Sequence, residues 1–153
     1  VLPGASARQV SLLVDLEQGH APDALRRLAC LGGEAAQECL RLSNVQARQV
    51  EALRCHGQNT PKALAHGYAL GETQGWSSWL LRAAWTEHRV TEAEHETVRR
   101  GAQSVCPVSA IDLMSKYQGP VLGTALKCAQ DIWIARDMQM TKGEILAHLD
   151  GLG

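Results

Sequence analysis

The side chains able to do chemistry in this sequence are few, and their spacing decides what they can do. A zinc site of the His-Glu-x-x-His kind needs two histidines one helical turn apart. His88 and His95 are seven apart, and His95-Glu96 runs on into Thr97-Val98-Arg99, so the second ligand is missing and both read as exposed helix histidines. Glu92, Glu94 and Glu96 alternate, and helix residues two apart point in nearly opposite directions, so they do not converge on a cation. They follow Thr91, where carboxylates favour the positive end of a helix dipole. Cys55-His56 are neighbours whose side chains diverge, with no acid placed to orient the imidazole. Cys30, Cys39, Cys55, Cys106 and Cys128 include no Cys-x-x-Cys pair, which suits neither a zinc ribbon nor a dithiol redox site. They read as mostly buried thiols of a reduced cytoplasmic protein. No phosphate-cradling Gly-rich loop and no dinucleotide fingerprint is present. No metal-ligand cluster and no cofactor motif survives these spacing tests, so a stand-alone hydrolase or metal enzyme is the least favoured expectation.

One segment stands out. Lys116-Tyr117-Gln118-Gly119-Pro120-Val121-Leu122-Gly123-Thr124-Ala125-Leu126-Lys127 joins a short helix to a long one through a Gly-Pro turn. Glycines let backbone approach a ligand closely, and a new helix offers unpaired N–H groups and a positive dipole end. With Lys116 before the turn and Lys127 after it, the segment is a candidate seat for backbone phosphate, its site residues being Lys116, Gly119, Gly123 and Lys127. It also fits an ordinary helix–helix turn in which Gly123 merely permits close packing.

The elements that would position these residues are all helices. Phe is absent, Ala, Leu, Gln, Glu and Arg dominate, and no stretch alternates apolar and polar residues over strand length. Helices are expected over Ala5 to Glu17, from Pro22 to Gly32-Gly33, over Glu34 to Arg41, and from Ser43 to Gly57. Others follow from Pro61 to Gly71, from Trp76 onward, behind Thr91, over Ala110 to Lys116, over Pro120 to Arg136, and behind Thr141. Ser43 with Gln46, Thr91 with Glu94, and Thr141 with Glu144 have the spacing of capping boxes. The total is nine or ten short helices. Gly57-Gln58-Asn59-Thr60-Pro61 is the expected hinge, dividing the chain into 1–57 and 58–153 as segments of one continuous helical unit. Trp76, Trp79, Leu80, Ala83 and Ala84 form the strongest apolar stripe.

The order of several motifs resembles the C-terminal part of bacterial CCA-adding enzymes, the tRNA nucleotidyltransferases of the poly(A) polymerase type. These motifs are Ile111-Asp112-Leu113-Met114, Gln118-Gly119-Pro120 with Gly123 and Leu126-Lys127, Trp133-Ile134 with Asp137, and Thr141-Lys142-Gly143-Glu144-Ile145-Leu146. Val1-Leu2-Pro3-Gly4-Ala5, Pro22-Asp23-Ala24-Leu25-Arg26-Arg27-Leu28, Arg41-Leu42-Ser43-Asn44 and Arg54 are similar to the segment entering that family's helical body. The resemblance implies the body and tail of a head–neck–body–tail protein. The family's catalytic head, with its paired metal-binding aspartates, and its CTP- or ATP-selecting neck have no counterpart here. It therefore implies Mg2+ and CTP or ATP only at those other regions, and for this chain the holding of the tRNA acceptor arm and elbow. One departure is Ser109-Ala110, where the family often has a basic residue.

Charge sets bounds on this. Fifteen Lys and Arg against sixteen Asp and Glu leave a net charge of −1, which excludes a uniformly basic RNA-binding coat but not a local patch. The longest apolar runs, Trp79-Leu80-Leu81 and Ile132-Trp133-Ile134, are too short to span a bilayer. The absence of an initiating Met before Val1 leads us to expect a piece of a longer protein. The competing expectation is a helical protein–protein interaction or dimerisation domain that never touches RNA, with the Trp76–Trp85 region as its docking face.

Overall fold

The computed structural model describes residues 4–151, so Val1, Leu2 and Pro3, which open one of the resembling segments, lie outside it. Among the described residues the chain is all-α, with nine helices and no strand. One compact unit runs to Gln103 and a second begins at Ser104. The first holds α1 (Ala7–Leu16), α2 (Ala24–Leu31), α3 (Ala36–Cys39), α4 (Asn44–Asn59), α5 (Ala63–Thr86) and α6 (Glu92–Gln103). The second holds α7 (Ala110–Leu113), α8 (Pro120–Ala135) and α9 (Lys142–Asp150).

Local chemistry sets most helix starts. Asp23 accepts the Arg26 N–H at 2.6 Å and opens α2, which ends at Gly32 with φ +74°. The three expected capping boxes form at Ser43, Thr91 and Thr141. Each satisfies backbone donors that a helix start otherwise leaves open. A further closure was not foreseen: Asp112 accepts both the N–H and the hydroxyl of Ser109 at the start of α7.

The hinge expected at 57–61 is a turn inside the first unit, and the division falls 46 residues later, at Gln103/Ser104. α4 runs through Gly57, which is buried; a Cβ there would lie 2.7 Å from the Trp85 ring and 3.3 Å from the Ser78 carbonyl oxygen. The Ser78 hydroxyl donates to the Leu53 carbonyl at 3.0 Å. These contacts lock α4 onto α5 and leave no room for a hinge. Thr60 closes α4 by donating its N–H to His56, and α5 starts after Lys62, so Thr60 and Pro61 do not open a helix.

Gly71 to Gly75 also differs from the expected break. Only Gly71 leaves helical geometry, at φ +77° and ψ 177°, while Gly75 is helical and buried. The chain reverses at Gly71. In an unbroken helix, residues eight apart lie about 12 Å apart, yet a Cβ on Gly75 would stand 2.9 Å from the Gly67 Cα. The two halves of α5, 63–70 and 72–86, thus cross at the pair Gly67 and Gly75. α6 completes the arrangement: a Cβ on Gly67 would fall on the Val98 carbonyl oxygen, and one on Gly101 on the Leu64 carbonyl oxygen. Three helical segments meet backbone to backbone because three glycines lack side chains. Around this crossing lies the core of Leu13, Leu53, Trp76, Trp79, Leu80, Leu81 and Val98.

A buried cluster of charges lies inside that unit. Glu17, four per cent exposed, accepts from Arg26 Nε at 2.7 Å through one oxygen and from Arg27 Nη2 at 2.7 Å through the other. Arg26, equally buried, also donates to the Ser77 hydroxyl at 3.2 Å and the Ala21 carbonyl at 2.8 Å. The network ties α1, α2 and α5 together.

Candidate nucleic-acid interface

In the second unit, α8 is held by Ala125, Ala129 and Trp133 on its buried face, together with Leu113 of α7 and Ile145 and Leu149 of α9. The spacing 125, 129, 133 is the i, i+4 stripe of an amphipathic helix. α7 is brought to α9 by an ion pair between Asp112 and Lys142. Lys142, with further help from Ser109, holds the Asp112 carboxyl down at about 2. The fold thus carries the Gly-Pro corner on two anchored helices.

At the corner itself, Gly119 has φ +58° and ψ −140°, a conformation that a side chain disfavours. Pro120 takes the first helical position, as its fixed φ allows. No side chain caps this helix and no carboxylate sits in its first turn. Added Cβ atoms at Gly119 and Gly123 would meet nothing within 4 Å. Gly123 therefore does not serve close packing; it faces open space. Gly123→Ala is expected to stabilise the second unit by about 0.5–1 kcal/mol, since an exposed helical glycine costs that much relative to alanine. Thermal unfolding checks it, and a loss of stability would mean that the position is packed.

Two features limit the corner as an anion seat. Pro120 has no N–H and the Leu122 N–H bonds the Gly119 carbonyl at 3.2 Å, so fewer donors point outward than at an ordinary helix start. The four candidate residues are also not equivalent. Gly123 and Lys127, four apart on α8, share one exposed face. Lys116 instead gives its ammonium to Asp150 at the end of α9, at 2.7 and 2.8 Å, and that carboxylate holds its pKa up. The unit as a whole has four Lys and Arg against five Asp and Glu. Lys127 stands exposed with Asp131 one turn on.

The structure also brings out groups that sequence patterns passed over. Ile111, Met114 and Val121 are 80, 56 and 58% exposed, an apolar fringe on α7 and the start of α8. The histidines expected to be exposed are packed instead. His95 is 19% exposed and lies over Trp76, ring centroids 4.5 Å apart, with His20 edge-on to it at 5.4 Å. His88 lies past the end of α5, packs on Trp79 at 5.6 Å and bonds Glu94 at 3.2 Å. Trp76, Trp79, Leu80, Leu81, Ala83 and Ala84 are all buried in the core, so most of the Trp76–Trp85 region is not available as the docking face expected of it. Glu92, Glu94 and Glu96 diverge as the helix period requires: Glu92 lies near His95, the Glu94 carboxylate accepts from the Thr91 N–H and hydroxyl, and Glu96 accepts from Arg99. Burial, with Glu17 second, pushes the Cys30 thiol up to about 11, so it stays protonated at neutral pH.

Among the described residues, no group of three or more His, Cys, Asp or Glu side chains is placed to hold a metal ion, and no helix is long and apolar enough to cross a membrane. Comparison with protein-family models, with curated proteins and with solved structures gives no match.

Proposed function

We propose that the chain is an RNA-holding helical segment, the body and tail of a cytoplasmic tRNA nucleotidyltransferase of the CCA-adding or poly(A) polymerase type, and that it carries no catalytic residue. The observation that carries this proposal is the open start of α8. There an uncapped Gly-Pro corner stands without a carboxylate in its first turn, with Gly123 and Lys127 exposed on one face. The ordered motifs from Ile111 to Leu146 support the same reading. Phosphate contacts of this kind position an RNA without reading its sequence. On this reading nucleotidyl transfer, with its Mg2+ and CTP or ATP, belongs to the family's head and neck, and the tRNA acceptor arm and elbow are the cargo.

The Lys116–Asp150 pair gives the proposal a distinctive test. A phosphate can engage Lys116 only by displacing a carboxylate, so Asp150→Asn should tighten tRNA binding several-fold while Lys127→Glu weakens it about tenfold at low salt. Titration of tRNA at two salt concentrations should show weak, sequence-tolerant binding that fades as salt rises. Absence of binding at low salt, or indifference to both substitutions, would overturn the proposal. The exposed Ile111, Met114 and Val121 favour one other reading, a protein-docking or dimerisation module. Concentration-dependent self-association without tRNA affinity would select it.

A further inference from the structure

His66 is the largest polar side chain closed off completely in the first unit, with no exposed surface. Its Nε2 lies 2.9 Å from the Thr60 carbonyl oxygen, an acceptor only, so the proton is on Nε2. Nδ1 is then a bare lone pair, buried and without a partner. The ring stands edge-on to Trp79, centroids 5.3 Å apart and planes at 80°. The charged or titratable groups that act on it are His56 of α4, its ring 6.4 Å away, and Arg82 of the second half of α5. Neither is a counter-charge; none of the groups acting on it is a carboxylate, and none comes from α6. Arg82 itself donates to the Gly57 and Gln58 carbonyls, at the end of the helix that leads into Thr60.

We propose that His66 is an acid-sensitive latch: neutral, it ties the Thr60–Lys62 turn between α4 and α5 to the core, and protonated, it leaves the core and frees that turn. A proton on Nδ1 creates an N–H with no acceptor and a cation beside Arg82. Both are costly in a buried site, and one hydrogen bond to Thr60 does not offset them. Burial is the main influence and holds the imidazole down at about 4, His56 and Arg82 lower it further, and the Thr60 carbonyl opposes them. Because the unfolded imidazole titrates near 6.5, the opened form binds more protons between pH 6.5 and 4. The closed form therefore loses stability as pH falls through that window.

The test is hydrogen exchange read segment by segment at pH 7 and pH 5, corrected for intrinsic rates, on the whole chain and on His66→Gln. The Gln side chain keeps an N–H donor for Thr60 but does not titrate. Protection over residues 57–70 should fall roughly 20- to 30-fold in the unmodified chain and stay level in the variant. Equal loss in both, or loss spread evenly over the first unit, would overturn the latch. NMR of the unmodified chain decides independently of whether the variant folds. An Nε2–H tautomer that persists well below pH 6 is expected, and an Nδ1–H tautomer or titration near 6.5 would falsify it.

Discussion

Glu17→Ala is expected to lower the unfolding free energy of the first unit by about 3–5 kcal/mol. Removing the carboxylate strands Arg26, a guanidinium only four per cent exposed, with one hydroxyl and one carbonyl for company. Arg27 shares the same carboxylate but its side chain is 38% exposed, so Arg27→Ala should cost no more than about 1 kcal/mol. The contrast between two arginines on one acid makes the measurement informative. Glu17→Leu combined with Arg26→Met should recover most of the loss, because a buried ion pair replaced by apolar groups often costs little. Urea unfolding followed by circular dichroism provides the values. If Glu17→Ala and Arg27→Ala came out equal and small, Arg26 would have to be reaching solvent.

Gly67→Ala is expected to destabilise the first unit by about 3 kcal/mol or more, lowering its Tm by over about 10 °C. Helix propensity alone predicts the opposite sign, a gain of up to about 1 kcal/mol. Backbone contact decides against it. The new methyl would overlap the Val98 carbonyl oxygen and would lie 2.9 Å from the Ala102 nitrogen. Neither atom can move without shifting α6. Gly101→Ala meets the Leu64 carbonyl in the same way. A neutral or stabilising Gly67→Ala would mean that α5 and α6 do not cross at backbone distance.

The helix content and the capped starts were legible because their causes are local. Ser43, Thr91 and Thr141 bond residues three positions away, and a pattern of four residues carries that information. Glycines mislead where the groups that require them are distant in sequence. Gly57 and Gly75 look like helix stops in sequence but are buried helical positions, chosen for what lies across from them in space. Gly123 was open to either account, and its empty surroundings remove only close packing as the reason for it. Glu17 lies on the apolar stripe of α1 with Val10, Leu13 and Val14, and only the fold explains why a carboxylate belongs there. At the candidate interface, the Gly-Pro corner could be seen and its lysines counted. The pairing of Lys116 with Asp150 spans 34 residues and has no signature in either segment. Histidine packing was hidden for a similar reason, since His20 reaches Trp76 from more than fifty residues away, and His88 and His95 reach Trp79 and Trp76 from beyond the end of α5.

The reversal at Gly71 also bears on the order in which the first unit assembles. The two arms of α5 and the whole of α6 are consecutive in the chain and are linked by short turns, so bringing them together costs little loop-closure entropy. Docking α1 against α5 must close a loop of more than forty residues before Glu17, Arg26 and Ser77 can meet. Contacts near in sequence form faster than distant ones. On that ground the stretch from Ala63 to Gln103 is expected to gain protection before α1 and α2 during refolding, an order that pulsed hydrogen exchange reads directly and that simultaneous protection of all six helices would refute.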